Sequence, residues 1–449
     1  MSGTALSPLH RIVEALGSAL SEIGSEAGPG EVEARGIALH EALSSRARQF
    51  HTHWHVLGLL PGADATAVLA ALYHDVVYVQ VDLGLPAAME ELLGPLLAKE
   101  DDGWRILAAA ERDPATRDVL ALFGRRAGEL LDPFGGLNEL ASALVAVKAL
   151  EPALTREQRL AVVAAIEQTV PFREAAAEAL AERLAALGVE DEVARRMVVR
   201  GVCLANRDVG NFAVPEVERF LDHTWRLLPE TNPALHSPAL YAVRDYRVAL
   251  TKTEGFLATL RADRVFHAWG GEPDATEHGR RITATRRNLA VAVRYLRARL
   301  FSISVLEAIA EESGGGAPLE YFMGGIADPG EPSFRRIEQF LPAGPSHPDV
   351  DAALLRLLEE GRTRGTGSDT VTSPLAGFLY RGLGEVAVMA GLEQARKMWA
   401  GALAPGAFLA GLPAAYPAAL ARAAAEVATT RRVALLRLVE RLADTARAD

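Results

Sequence analysis

The sequence predicts an all-α protein, and three observations carry that expectation. Alanine, leucine, glutamate and arginine dominate the 449 residues while isoleucine, threonine and tyrosine are scarce, a balance that favours helix over sheet. Apolar residues, 49% of the chain, recur at the three-to-four-residue spacing of a helix in nearly every segment. No unit of roughly 20–50 residues repeats, which speaks against a solenoid.

The elements follow in order. After a first helix, the loop "GSEAGPGE" precedes a long helix expected from Glu31 to Leu60. The "PGADAT" turn stops it and offers Asp64 as the N-cap of the next helix. Helices are expected near 104–129, 137–150 and 155–168. Pro171 is placed to start another, "PFREAAAEALAERLAALG", which ends in a glycine. Helices near 190–209 and 214–228 lead to "LLPETNPALHSP", whose turn formers mark a boundary between residues 1–230 and 231–449. The second part holds helices near 238–265, 280–312, 375–402 and 414–447. Two Gly- and Pro-rich stretches, "ESGGGAPLEYFMGGIADPGEPS" and "EEGRTRGTGSDTVTSP", read as loops or lids.

Composition bounds the function. A net charge of −11 argues against nonspecific nucleic-acid binding, although a local basic patch could hold a phosphorylated small molecule. The single cysteine, Cys203, excludes an intramolecular disulfide framework and a multi-cysteine zinc site. The N-terminus shows no cationic region followed by an unbroken apolar core, and no run of about eighteen apolar residues without charges occurs. No membrane association and a soluble, cytoplasmic protein are therefore expected.

Chemistry concentrates early. "FHTHWHVLGLL" places three of the eleven histidines within five positions. On a continuous helix His51 and His55 would share one face with Arg48, leaving His53 elsewhere. "ALYHDVVYVQVD" then sets His74 beside Asp75, and "RGVCLANRDVGNF" carries Asp208 next to Asn206 and Arg207. Imidazoles and carboxylates form a mixed N/O set suited to a divalent transition metal.

Read together, Arg48 to Thr52, Leu72 to Asp75 and the late Asp208 resemble the H…HD…D signature of the HD superfamily of metal-dependent phosphohydrolases. The likeness is closest to its small predicted-phosphohydrolase branch and covers roughly residues 35–228. "YHDVVY", "AIEQTVPF" and "LANRDVGNF" resemble successive segments of that branch. The resemblance implies an HD-domain-like helical bundle followed by a second helical domain. It implies that His51, His74, Asp75 and Asp208 bind one divalent ion (Mn, Fe, Mg, Zn or Ni). It also implies hydrolysis of a phosphate ester or nucleotide by a metal-activated water. Arg48 would then neutralise phosphate charge, His55 would be a ligand, substrate contact or proton carrier, and Arg207 and Asn206 would face the substrate. Two positions depart from the branch. Its Asn-Glu pair after Val-Tyr is replaced by "VQVDLGLPAAMEE", and Phe172 stands where it has a histidine. The rival expectations are a catalytically inactive helical scaffold and an HD-type iron oxygenase.

Residues 231–449 resemble nothing recognisable and are expected to cap the site or mediate assembly. Arg280, Arg287 and Arg294 recur at seven-residue intervals on one helix face, which reads chiefly as a solvated face paired with acidic helices. The amphipathic tail "RAAAEVATTRRVALLRLVERLADTARAD" fits intramolecular packing or a homodimer helix.

Overall fold

The computed structural model describes residues 6–82, 85, 87–236, 241–325, 334–363 and 372–448. Helix dominates, as expected, but the chain divides into two units differently from the expected boundary. Unit 1 comprises Met1–Ala213 and Arg261–Arg286; unit 2 comprises Val214–Leu260 and Arg287–Asp449. Position 230 thus lies inside unit 2.

Unit 1 contains α1 (Pro8–Glu22), α2 (Pro29–Ala42), α3 (His53–Leu59), α4 (Ala65–Tyr73), α5 (Ala87–Leu93), α6 (Pro114–Phe123), α7 (Asn138–Leu150), α8 (Arg156–Gln168), α9 (Ala176–Ala186) and α10 (Asp191–Asp208). Its centre is α8, where every residue from Leu160 to Gln168 is buried, and which packs against α4, α6, α7 and α10. Helices that are apolar on all sides belong in a core, and α4 and α7 share this character. Alanines at the crossings let the backbones approach closely. Gly201 of α10 is one such close contact: a Cβ there would lie 2.7 Å from Gln168 Cγ and 3.2 Å from the Ala164 carbonyl oxygen.

Several expected helices are broken, each for a local reason. The helix expected over 31–60 ends at Ala42, because Ser44 and Ser45 are poor interior residues and Thr52 caps a new helix by accepting from Trp54 N. The helix expected over 104–129 is replaced in part by a small antiparallel sheet of β1 (Leu97–Glu100), β2 (Gly103–Ile106) and β3 (Leu130–Leu131). Leu97 pairs with Ile106 and Trp104 with Leu131. "KEDDGWRI" carries an Asp-Gly turn signal that helical periodicity obscured. Pro171 does not begin a helix; Phe172 (φ 61°) and Ala175 (φ 49°) hold a turn before α9. Asp64 does cap α4, accepting from Ala67 N at 2.8 Å.

Unit 2 holds α11 (Val217–Thr231), α12 (Val243–Thr259), the continuation of α13 (Ala275–Glu312), α14 (Leu319–Met323), α15 (Ala352–Glu360), α16 (Pro374–Trp399), α17 (Pro405–Ala410), α18 (Ala415–Val427) and α19 (Arg432–Ala448). The helix expected over 414–447 is therefore two, which pack on each other. Much of the two loop stretches, 326–333 and 364–371, lies outside the described residues, as does 237–240 from the helix expected over 238–265. Arg294 is paired with Glu385 and Asp351, and Arg280 with Glu277, while Arg287 donates to the Val214 and Pro215 carbonyls. Among the described residues α16 alone is long and apolar enough to cross a membrane, and 56% of its most apolar window is buried inside the protein, as in a core helix.

Gly201→Ala is expected to cost about 1–3 kcal/mol by overpacking the α8–α10 crossing, measured by urea unfolding; an unchanged midpoint would show that the crossing has slack.

Candidate metal centre

Four side chains from three helices converge, all of them near helix ends. His55 lies in the first turn of α3. His74 is the C-cap of α4, its N–H bonded to the Ala70 carbonyl, and Asp75 follows it. Asp208 is the last residue of α10. The C-termini of α4 and α10 carry partial negative charge, which favours a cation at their junction.

The donor atoms lie within 4.8 Å of one another. His55 Nε2 is 2.8 Å from Asp208 Oδ1 and 3.6 Å from Asp75 Oδ2. His74 Nε2 is 3.1 Å from Asp75 Oδ2 and 3.6 Å from Asp208 Oδ1. His74 Nδ1 lies 2.8 Å from the Ala71 carbonyl oxygen. When that nitrogen carries the proton and donates, Nε2 keeps its lone pair for the centre, the arrangement usual behind a metal-bound histidine. His74 Nε2 and Asp75 Oδ2 are also buried atoms without a hydrogen-bond partner of acceptable geometry. Two imidazoles and two carboxylates, with orphaned ligand atoms aimed inward, fit a divalent transition metal.

Without an ion, protons hold the cluster together. Burial alone would lower the His74 pKa, but attraction to the Asp75 and Asp208 carboxylates leaves it well above the usual 6.5. Asp75 and Asp208 are buried too, which opposes ionisation; the surrounding histidines nevertheless pull both carboxyls down, Asp208 to about 2.

His51, the expected ligand, is not among these four but lies close to them. The chain turns between α2 and α3, so His51 precedes the Thr52 cap and the same-face geometry of a continuous helix does not apply. Its ring meets Tyr78 edge-on at 4.7 Å and His55 at 5.7 Å, and its charge contributes to lowering Asp75. His55, expected as a ligand, substrate contact or proton carrier, is one of the four converging side chains. His53 turns away and stacks on His40 at 5.6 Å, as a bystander should.

Arg48 does not face a substrate. Its guanidinium forks onto Asp82 at 2.8 and 2.6 Å and donates to the backbone oxygens of His51 (3.2 Å), Asp75 (2.6 Å) and Val76 (3.4 Å). The two side chains of this pair are 0% and 4% exposed. Arg48 therefore clamps the 48–52 turn to the His-Asp segment. The expected substrate contacts Arg207 and Asn206 are likewise committed to backbone. Arg207 donates to the Leu59 and Gly62 carbonyls; Asn206 exchanges hydrogen bonds with His267 O and N at 2.7 and 2.9 Å.

Glu139 was missed in the sequence. It opens α7 beside Asn138, whose amide accepts from Val79 N at 3.1 Å and donates to Gln80 at 2.9 Å. Ser142, one turn on, accepts from Val77 N at 3.1 Å. Burial raises the Glu139 carboxyl to about 7; its own backbone N–H opposes this, and the charges of Asp75 and Asp208 add to it. The available signal was "GGLNELAS": a Gly-Gly turn, then a polar pair at the start of an apolar helix.

Two outcomes are expected here. Arg48→Ala leaves the Asp82 carboxylate buried and unpaired and should cost about 3–5 kcal/mol, whereas Arg48→Ala combined with Asp82→Ala should cost less than the sum in equilibrium unfolding. Because the folded-state pKa of Glu139 lies above the unfolded value, its contribution is full below the unfolded value and lost as pH rises through about 7. Metal-free protein should lose stability between pH 5 and 8, and Glu139→Gln should flatten that slope in melts across the range.

Comparison of the chain with family models, with curated proteins and with solved structures finds no match in any of the three.

Proposed function

We propose that the protein is a metal-dependent phosphohydrolase acting on a phosphate ester or nucleotide. The observation that supports this most is the convergence of His55, His74, Asp75 and Asp208 on one point, with ligand atoms of His74 and Asp75 buried and unsatisfied. Bound there, one divalent ion (Mn, Fe, Mg, Zn or Ni) would supply an activated water and polarise a phosphoryl oxygen. His55, His74, Asp75 and Asp208 would hold the ion, and Ala71 O orients His74. Glu139, ionising near neutrality, is suited to accept a proton from the attacking water. His51, beside the cluster, is suited to meet the phosphate charge that Arg48 and Arg207 are not placed to meet.

The likeness to the HD superfamily gains one residue pair from this geometry. The Asn-Glu that the branch carries after Val-Tyr has a counterpart in Asn138-Glu139, brought to the same segment after an insertion that holds the small sheet and α6. The competing scaffold reading is favoured by a different observation: all three side chains expected to contact substrate are committed to structural partners. The iron-oxygenase reading requires a second ion, and among the described residues the donors form one four-residue cluster.

Untagged protein, reconstituted with each metal in turn, is expected to bind one ion per chain by elemental analysis, and to lose it in Asp208→Asn and His74→Ala. Because binding must displace the proton held at His74, metal affinity should rise from pH 5.5 to 8. Hydrolysis of a panel of phosphomonoesters and nucleotides should require that metal and fall by about 10²-fold or more in Glu139→Gln. Absence of stoichiometric metal under every condition would sink the hydrolase reading in favour of the scaffold.

A further inference from the structure

On a chain with a net charge of −11, unit 1 carries an open groove of about 700 Å³ lined by four arginines: Arg117, Arg125, Arg156 and Arg159. Two acidic groups, Glu111 and Asp118, share the lining. None of the metal-centre donors does. Arg117 belongs to α6 and Arg125 follows that helix; Arg156 and Arg159 come from the first turn of α8.

The arginines divide by what holds them. Arg156 forks onto Asp118 at 2.8 and 2.9 Å, and Arg125 pairs with Glu129 at 2.5 Å and donates to the Gly135 carbonyl at 2.9 Å. These two are oriented and neutralised. Arg159 is held by carbonyls alone, Leu154 O at 2.7 Å and Glu151 O at 3.4 Å. That fixes its guanidinium without cancelling its charge. Arg117 is exposed and has no ionic partner among the described residues. Glu111 is engaged by Ala127 N at 2.8 Å. The groove therefore keeps two guanidinium charges without an ionic partner, offset in part by the Glu111 carboxylate, beside two pre-oriented ones, with Ala115, Leu120 and Leu187 also in its lining.

We infer that this groove is a second ligand site, which binds the phosphate chain of a small polyphosphorylated molecule. Guanidinium forks match phosphate oxygens geometrically, and the volume lies in the range of small-molecule sites. Four arginines spread over two segments, α6 with the turn after it and the start of α8, suit several phosphates in a chain better than one phosphate. Among the described residues no aromatic side chain lines the groove, which offers a nucleobase no stacking platform there; recognition rests on the phosphates and is indifferent to the base. Since α6 packs on α7 and α8, occupancy ties together the helix that carries Glu139 and the central helix of the unit. The inference does not rest on the hydrolase reading, because it concerns different residues and is tested without metal.

The test uses the full chain, freed of metal, titrated calorimetrically with inorganic tripolyphosphate, ATP, GTP and AMP. Tripolyphosphate, ATP and GTP are expected to bind at one site per chain with affinities within about threefold of one another, and AMP at least about tenfold more weakly. Tripolyphosphate should also raise the melting temperature, and its affinity should fall steeply with added salt. Arg117→Ala with Arg159→Ala is expected to weaken binding tenfold or more, while Arg437→Ala on α19 leaves it unchanged. If the double variant does not fold, the exposed single change Arg117→Glu carries the same expectation. Absence of saturable binding, binding that depends on the base, or binding unaltered in a folded groove variant would each overturn the proposal. Metal stoichiometry is expected to be unaltered by these groove substitutions, which separates failure here from failure of the metal centre.

Discussion

The shape of the His-Asp cluster depends on one buried guanidinium. Arg48 gathers the Asp82 carboxylate and the backbone oxygens of His51, Asp75 and Val76, so the turn before α3 and the segment after α4 are tied at a single point. A buried cation with every donor occupied is stable, and one that loses its carboxylate is costly. That asymmetry makes the clamp all-or-none. The residues it fixes are the ones that aim His51 and Asp75. A phosphate-binding role would require the same guanidinium to leave the carboxylate and carbonyls that hold the centre in shape.

Around this clamp, the helices serve electrostatics as well as packing. α4 and α10 terminate at the cluster, bringing the negative ends of two dipoles to the place where two carboxylates already converge. Such a concentration of negative charge is tolerable when histidines are protonated or a cation is bound. The same field helps keep Glu139 protonated toward neutrality. Burial that would be a cost anywhere else thus becomes a means of setting ionisation, provided something positive sits at the centre.

Much of this was legible in the residue order, and the failures have physical causes. His74, Asp75 and Asp208 were recognisable because ionisable groups inside apolar helical segments need a partner. The swap between His51 and His55 was not. It turned on whether the chain stays helical through Leu43–Thr52, and there serine propensity, the Thr52 cap and a tertiary hydrogen-bond clamp outweighed apolar periodicity. That Arg48, Arg207 and Asn206 engage structural partners was hidden for a related reason: a polar side chain beside a candidate site looks the same in sequence whether it turns toward solvent or toward a backbone carbonyl. Glu139 escaped because it is distant in sequence from the His-Asp pair, and the intervening β-hairpin and α6 hide the proximity.

Residue composition and apolar spacing by themselves determined that the chain is helical, where most of its helices run, and which carboxylates and imidazoles would be trapped among apolar neighbours. These are local matters, set by propensity and by the cost of burying unpartnered charge. Tertiary structure alone decided which histidine joins Asp75 and Asp208, which arginines are structural, that Asn138-Glu139 reaches the His-Asp segment, and that four arginines line one groove. Those outcomes depend on long-range closure of the chain, where a single bend or cap changes which side chains meet, and no local pattern encodes it.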